Sequence, residues 1–314
     1  TLIIYQQVQF AKDRPVGYGK EGLIQVPVGG NEFIQKYETL KNELLANGAI
    51  EEMSFSNSPA TDAYMYMGGY DWEGKPEGMD DEFISVYVTF DYVKSLDLTI
   101  LEGRDFSDKL ASDSSAILIN EAASDYLGFK DPIGKQLESE GENPMTIIGV
   151  VKNVIMQSPY EPSEPTFYGI NVYQTYGTYN LRLNANKSIV QNIASIKAVY
   201  NSFFPEHIFE YQFVDQEYAS KFAQEERISK IIGIFTILAI IISCLGLFGL
   251  ASFTAEQRTK ELGVRKILGA SVTDLWSMLS RDFVLLGIIS ILISIPIAWY
   301  FMNDWLQTYT YRTE

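Results

Sequence analysis

The sequence predicts an α+β domain of split β-α-β lobes, followed by α-helical segments that cross a membrane. Three observations lead there. Residues 1–230 carry 18 basic and 34 acidic side chains, whereas residues 231–314 carry six of each, so the whole net charge of −16 lies in the first part. The neutral part contains two long uncharged apolar runs, residues 231–253 and 283–303. Through residues 20–230, short apolar strands alternate with helically spaced segments.

The chain opens on the apolar patch Leu2-Ile3-Ile4, with no basic flank and too few apolar residues for a cleavable signal peptide. Export of residues 1–230 therefore requires a membrane helix ahead of Thr1. Residues 23–28 form a strand run, residues 31–47 show helical spacing through Phe33, Tyr37, Leu40, Leu44 and Leu45, and residues 50–55 form the next strand. That is a split β-α-β pattern, and it recurs. Residues 116–119 precede a helical segment at 121–127, residues 145–151 are an apolar strand, and residues 179–183 precede a helix at 188–203 with a strand at 209–214. The expectation is two lobes sharing mixed sheets. Gly29-Gly30, Gly68-Gly69, Pro132, Pro159, Pro162 and Pro165 punctuate the loops.

Within residues 64–81, the rings of Tyr64, Tyr66, Tyr70 and Trp72 read either as an aromatic binding surface or as a half-exposed strand pair. Glu51-Glu52 and Asp80-Asp81-Glu82 read as solvated acidic turns, since nothing repeats with calcium-loop spacing. The acidic balance excludes nucleic acid as a partner. One cysteine, Cys244, permits no intramolecular disulfide, and with the single histidine, His207, it leaves too few ligands for a zinc site. No metal or cofactor is expected. His207 follows Pro205-Glu206 and reads as a surface turn residue; no G-x-S-x-G elbow accompanies it. The run from Gly128 to Lys135 has its second glycine one residue too late for a phosphate loop, and Gln136 stands where Ser or Thr would bind magnesium. No catalytic residue is assigned.

Residues 231–253 would span roughly 34 Å as a helix, against a hydrocarbon core of about 30 Å. Fourteen of these 23 residues are Ile, Leu or Phe, which favours insertion over a buried core helix. Ala239, Ser243, Gly246 and Gly249 are small enough to let two such helices approach closely. The second run contains Pro296 and ends among Trp299, Tyr300, Trp305, Tyr309 and Tyr311, rings that mark a water interface. The connection between the runs, residues 254–282, holds Arg258, Lys260, Arg265, Lys266 and Arg281 and is therefore expected in the cytoplasm. The acidic domain, residues 1–230 with a helical stalk at its end, lies outside, and residues 304–314 return to that side.

The connection carries Glu256-Gln-Arg-Thr-Lys-Glu-Leu-Gly-Val-Arg-Lys-Ile-Leu-Gly-Ala-Ser271. Its charges alternate with an apolar set of Leu262, Val264, Ile267 and Leu268, as in a short amphipathic helix under the membrane, and Ser271-Val-Thr-Asp274 is a capping box that starts another helix. A purely topogenic basic loop would explain the arginines but neither the glycine spacing nor the apolar face.

This stretch resembles the E-x-R-x-K-E-[IL]-G-[IV]-R-K-x-[LI]-G-A-S signature of FtsX/MacB-type ABC transporter permeases. Ile100-Leu-Glu-Gly-Arg-Asp-Phe106, Ile119-Asn-Glu-Ala-Ala123, Asp131-Pro-Ile-Gly-Lys135 and Ile147-Ile-Gly-Val-Val-Lys152 are similar, in order, to that family's periplasmic core domain. The resemblance covers essentially the whole chain, in the style of the large two-unit permeases of Bacteroidota. It implies one membrane helix before the outer domain and three after it, so the chain reads as a fragment that stops before the last. It implies a bacterial inner-membrane protein that is not itself an enzyme. The ATP-binding ABC ATPase is then a separate chain, the permease units pair as a dimer in the lipid bilayer, and a periplasmic adaptor or outer-membrane partner is compatible with the family.

The resemblance also implies a coupling role for Glu256, Arg258, Lys260, Glu261, Gly263, Arg265, Lys266, Gly269 and Ala270. The stalk at residues 216–230 would pass their motion to the outer domain by mechanotransmission. The function implied is export of a lipoprotein, peptide or amphiphilic compound. The alternative is a regulator that activates a periplasmic cell-wall hydrolase, as FtsX does in cell division; the large two-lobed domain favours export.

Overall fold

The computed structural model describes residues 2–139, 143–171, 175–307 and 310–312. It divides into two compact units, Asp13–Lys221 and the helices of Thr1–Lys12 with Phe222–Glu314. After α1 (Leu2–Asp13), the larger unit runs β1 (Leu23–Gly29), α2 (Asn31–Ala46), β2 (Ile50–Ser56), β3 (Tyr66–Met67), β4 (Tyr70–Asp71), β5 (Phe83–Val88), α3 (Tyr92–Leu96) and β6 (Ile100–Gly103). A 3-10 turn at Ala111–Ser115 leads into β7 (Ala116–Asn120), α4 (Glu121–Leu127), β8 (Gln136–Ser139), β9 (Met145–Val151), β10 (Thr166–Ile170), β11 (Tyr176–Leu183), α5 (Ile189–Phe203), β12 (Gln212–Phe213) and α6 (Val214–Ser220).

The strands line up as β12-β1-β11-β2-β5-β10-β7-β9-β8-β4, with β3 on β5 and β6 on β9. β11 is antiparallel to both β1 and β2, which makes β1 and β2 parallel with one strand between them. This is the split β-α-β arrangement, and β11-α5-β12 repeats it around β1. The first lobe is thus a four-stranded, two-helix sandwich of ferredoxin-like order. The second lobe is inserted between its second and third strands; there β7 and β9 pair in parallel across the α4 crossover.

Each lobe has its own core. In the first, Phe33, Tyr37, Leu40 and Leu44 recur at helical spacing on one face of α2 and meet Ile196, Tyr200 and Phe204 from the α5 side. Phe33 and Phe204 stack with centroids 4.3 Å apart. In the second, Ile117, Ile119, Ile147 and Val150 pack against Ala123 and Leu127 of α4. Tyr70 and Trp72 belong to this core, only 1% and 7% exposed, with Tyr70 edge-on to Phe167 at 5.5 Å. Tyr64 is 66% exposed. The four rings of residues 64–81 therefore form no single aromatic surface, because the two later ones are drawn into the sheet.

Two further expectations are corrected. Asp81 is not a solvated turn residue: its carboxylate is 3% exposed, 2.5 Å from Lys75 Nζ, and accepts the Tyr70 amide at 2.9 Å. Burial works against its charge, but the Lys75 ammonium and the Tyr70 and Gly69 amides hold its carboxyl below the usual range. The expected strand at 209–214 shortens to β12, since Val214 already begins α6.

The smaller unit is helical. α7 (Ala223–Gln257), α8 (Thr259–Ile267) and α9 (Val272–Leu306) follow in order. α7 and α9 are each 35 residues long, enough to cross a bilayer, and they show no buried apolar stripe. Thr236 and Ser290 donate to the carbonyls of Ile232 and Leu286, both at 2.8 Å, so their hydroxyls need no water. α1 is tied to this unit by an ion pair between Lys12 and Glu226, by Lys12 lying 5.6 Å over the Phe222 ring, and by Gln7 donating to the Tyr311 carbonyl at 2.6 Å. Trp299 and Tyr300 are exposed near the end of α9, and Tyr309 lies outside the described residues. The stalk predicted at 216–230 is not one helix: α6 stops at Ser220 and α7 starts at Ala223, with Lys221 and Phe222 in a turn.

Candidate functional site

The charged signature folds into α8 and its two junctions. Glu256 sits in the last turn of α7, and Arg258 is at once the C-cap of α7 and the N-cap of α8. Lys260, Glu261, Gly263, Arg265 and Lys266 are exposed along α8. Glu261 and Arg265, one turn apart, pair at 2.8 Å, and the Arg265 guanidinium also donates to Met278 Sδ of α9 at 2.7 Å. The basic side chains Arg265 and Lys266 fall in the last turn, where they complement the helix dipole.

The exit from α8 explains two glycine-motif positions. Gly269 has φ +95°, the left-handed region, and its amide bonds the Lys266 carbonyl at 3.2 Å while Ala270 N–H bonds that of Arg265 at 3.1 Å. This is a Schellman stop, and only glycine occupies its central residue without strain. Ser271 then caps α9: its hydroxyl accepts the Asp274 amide at 3.2 Å, and Asp274 accepts the Ser271 amide at 3.1 Å. The capping box read from the sequence is present.

The result is a short helix between two membrane-length helices, joined to α7 through the single residue Arg258 and to α9 through the Schellman stop. It presents Val264, Ile267 and Leu268 outward, Ile267 88% exposed, beside exposed Lys260 and Lys266. A surface of this kind can seat in a groove of a partner protein that has acidic edges. On α7, Ala239, Ser243, Gly246 and Gly249 are all exposed, and a Cβ on either glycine would meet open space.

The four segments quoted from the outer domain converge on β9. Arg104 N–H bonds the Ile148 carbonyl at 3.0 Å, and its guanidinium grips the buried Asp113 carboxylate with two bonds of 2.6 and 2.7 Å. Asn120 caps α4 through the Ala123 amide at 2.8 Å and ties down β10 through the Thr166 amide at 2.9 Å. The Gly134 amide bonds the Ile147 carbonyl at 2.7 Å, and Lys135 returns a carbonyl to the Ile147 amide at 2.9 Å. These residues brace the second lobe.

His207 is half-buried, bonded to Glu32 at 2.7 Å and edge-on to Phe33 at 4.9 Å. It closes the turn after α5, at the surface end of the first core. Among the described residues, no three His, Cys, Asp or Glu side chains are placed to hold a metal ion.

Two family models match the chain. Residues 10–199 match the MacB-like periplasmic core domain, and residues 233–313 match the FtsX-like permease C-terminal region. These matches define the class, an ABC transporter permease. The chain belongs to the family that joins a MacB-like periplasmic core domain to an FtsX-like permease region, an inner-membrane protein with its α+β domain in the periplasm.

Among its relatives, the uncharacterized ABC transporter permease YknZ of Bacillus subtilis is 24% identical over 219 residues, 66% of this chain and 54% of YknZ. The macrolide export ATP-binding/permease protein MacB of Acinetobacter baylyi is 24% identical over 232 residues, 67% of this chain and 34% of MacB. The chain thus spans about half of the one and a third of the other. The solved periplasmic region of MacB from Actinobacillus actinomycetemcomitans superposes with TM-score 0.45 at 13% identity, covering 69% of this chain and 96% of that one. The extracellular domain of YknZ superposes with TM-score 0.42 at 16% identity, covering 60% and 98%.

Proposed function

We propose that this chain is the membrane subunit of a mechanotransmitting ABC transporter, coupling ATP hydrolysis in a separate ATPase to movement of the periplasmic domain. The observation that carries the reading is α8: a short charged helix with an exposed apolar edge, fixed by a turn at each end between two membrane-length helices. With the α+β domain in the periplasm, one crossing by α7 puts α8 in the cytoplasm, where an ATPase can grip it. Glu256, Arg258, Lys260, Glu261, Gly263, Arg265, Lys266, Gly269 and Ala270 form the coupling segment. The Schellman stop and the capping box make α8 and the start of α9 a stiff corner, so a push on α8 tilts the long helices rather than bending a loop. Ala239, Ser243, Gly246 and Gly249 provide the face on which two permease units pair. The work done outside is extrusion of a lipoprotein, peptide or amphiphilic compound, supported by the export role in the name of the MacB relative.

The test is ATPase stimulation. The full-length membrane protein is purified in mild detergent and the co-purifying ATPase identified. Arg265→Glu with Lys266→Glu is expected to remove at least about nine-tenths of the stimulated rate, since two reversed charges oppose a matched acidic groove, with insertion unchanged. Full stimulation by that variant would take α8 out of the coupling role. A wall hydrolase recovered with the ATPase would replace export by hydrolase regulation.

A further inference from the structure

A pocket in the first lobe is not used by any of the foregoing. It opens between α2, the end of β5 and the start of α3, and has a volume of about 190 Å³. Its wall is made by Tyr37, Phe55 and Tyr179, with Thr89 at its edge and the carboxylates of Glu38 and Asp91 beside them. The three rings form one aromatic group: Tyr37 and Tyr179 lie 5.9 Å apart, and Phe55 meets Tyr179 edge-on at 6.2 Å.

The polar atoms of this wall are committed elsewhere. Tyr179 donates its hydroxyl to the Phe33 carbonyl at 2.5 Å, and Tyr37 donates to the Met53 carbonyl at 3.1 Å with Thr89 Oγ1 at 3.2 Å. Thr89 Oγ1 also accepts the Phe55 amide at 2.9 Å. Both tyrosines are thereby fixed with their hydroxyls turned into the protein, and what little of their rings the core leaves uncovered is carbon, joined in the lining by Ile34 and Phe90. Charge has one sign to spare. Lys41 is paired with Asp91, while Glu38 has no ion-pair partner among the described residues.

An anion entering this pocket finds no lysine or arginine in its lining, and a neutral polar group finds the tyrosine and threonine hydroxyls already engaged. A positive group finds aromatic rings and a carboxylate, the two features that stabilise an organic cation away from bulk water. The volume is below the roughly 300–1,000 Å³ of sites that enclose a drug-sized ligand. It suits one terminal group of a larger molecule.

We propose that this pocket binds an organic ammonium group carried on a compact apolar body, such as an arylalkylammonium, with Tyr37, Phe55 and Tyr179 around the apolar part and Glu38 facing the charge. The site goes beyond the transporter reading and does not depend on α8 or on an ATPase.

The full chain in lipid nanodiscs is titrated calorimetrically with phenethylammonium, with 2-phenylethanol as a neutral molecule of similar shape and with 3-phenylpropionate, the heat of empty nanodiscs being subtracted. The expected result is saturable binding of one phenethylammonium per chain, at least about tenfold tighter than the alcohol and weakened by salt, with no binding of the carboxylate. Glu38→Gln changes an exposed side chain, and its fold is checked by circular dichroism; it is expected to bring the ammonium down to the affinity of the alcohol. Ile34→Trp, which fills the mouth, is expected to abolish both. Equal affinity for ammonium and alcohol, unchanged affinity in Glu38→Gln, or no saturable binding would each overturn the proposal.

Discussion

Asp105 and Asp113 are both acidic residues of the outer domain, and their surroundings push them in opposite directions. The Asp113 side chain is fully buried, and the two bonds from Arg104, joined by the Ser107 amide at 2.9 Å, hold its carboxyl below the usual aspartate range. Asp105, half-buried, accepts the Phe106 amide at 2.7 Å. Burial first, then the charges of Asp91 and Asp113, push its carboxyl up to about 6, against the pull of the amide and of Arg104. The signs follow. Asp113 contributes stability that is present at neutral pH and lost as pH falls through its depressed value. Asp105 binds its proton more tightly folded than unfolded, where aspartate titrates near about 3.9, so its contribution is present at low pH and lost as pH rises to about 6. Asp105→Asn keeps an oxygen facing the Phe106 amide. It is expected to flatten the stability slope between these two pH values and to stabilise the chain at pH 7 by about 1–2 kcal/mol. Near-UV circular dichroism melts of the full chain in detergent across that range check it; an unchanged slope would assign the titration to another group. In the sequence both aspartates were simply acidic positions near an arginine, because which one Arg104 grips depends on the fold of residues 104–113.

At the scale of elements, pattern was a good guide for several segments, though the alternating run at 209–214 yields only the two-residue β12. The strand read at residues 145–151 is β9, and the helix read from Phe33, Tyr37, Leu40 and Leu44 is α2. Where a segment is short or framed by loop residues, the signal failed. β10 follows Pro159, Pro162 and Pro165, and α3 is only five residues long. Strand β2 shows a subtler effect: its face away from α2 carries Ser54 and Ser56, which polar alternation would send to water. Both are buried, accepting from Asn180 at 3.4 and 3.0 Å, while Asn180 accepts from Gln25 at 2.6 Å. A covered sheet face thus tolerates polar residues when they bond one another across strands. α7 adds a prediction at this scale. Gly246→Leu with Gly249→Leu fills open space, so the single chain is expected to insert and fold as before. Close pairing of two α7 helices is expected to be lost, read as a shift from dimer to monomer in native mass spectrometry. A dimer that survived the double change would move the pairing face elsewhere.

For the molecule as a whole, orientation is testable through its one cysteine. Cys244 lies in the middle of α7. In intact cells it is expected to resist a charged, membrane-impermeant maleimide from either side. In a Cys244→Ser background, Asn186→Cys on the outer domain is expected to label from outside, and Gln257→Cys at the start of the coupling segment only after the cells are opened. Labelling of position 257 in intact cells would reverse the topology and put α8 beyond the reach of a cytoplasmic ATPase.

By itself the sequence determined which two segments are long and apolar enough to cross a membrane, that the connection between them is basic, the amphipathic character of α8, the capping box at Ser271 and the split β-α-β plan. These are properties of neighbouring residues, set by hydropathy, charge and local backbone preference. Only the tertiary structure decided that the second lobe is threaded between β2 and β11, that Tyr70, Trp72 and Asp81 are interior, and that the stalk breaks at Lys221–Phe222. It alone brought Tyr37, Phe55, Thr89 and Tyr179 around one pocket beside Glu38 and Asp91. Apart from the shorter-range Lys75 and Tyr70 bonds to Asp81, those outcomes rest on contacts between residues tens to more than a hundred positions apart, and the free energy of such contacts exists only once the sheet has closed and excluded water from between them.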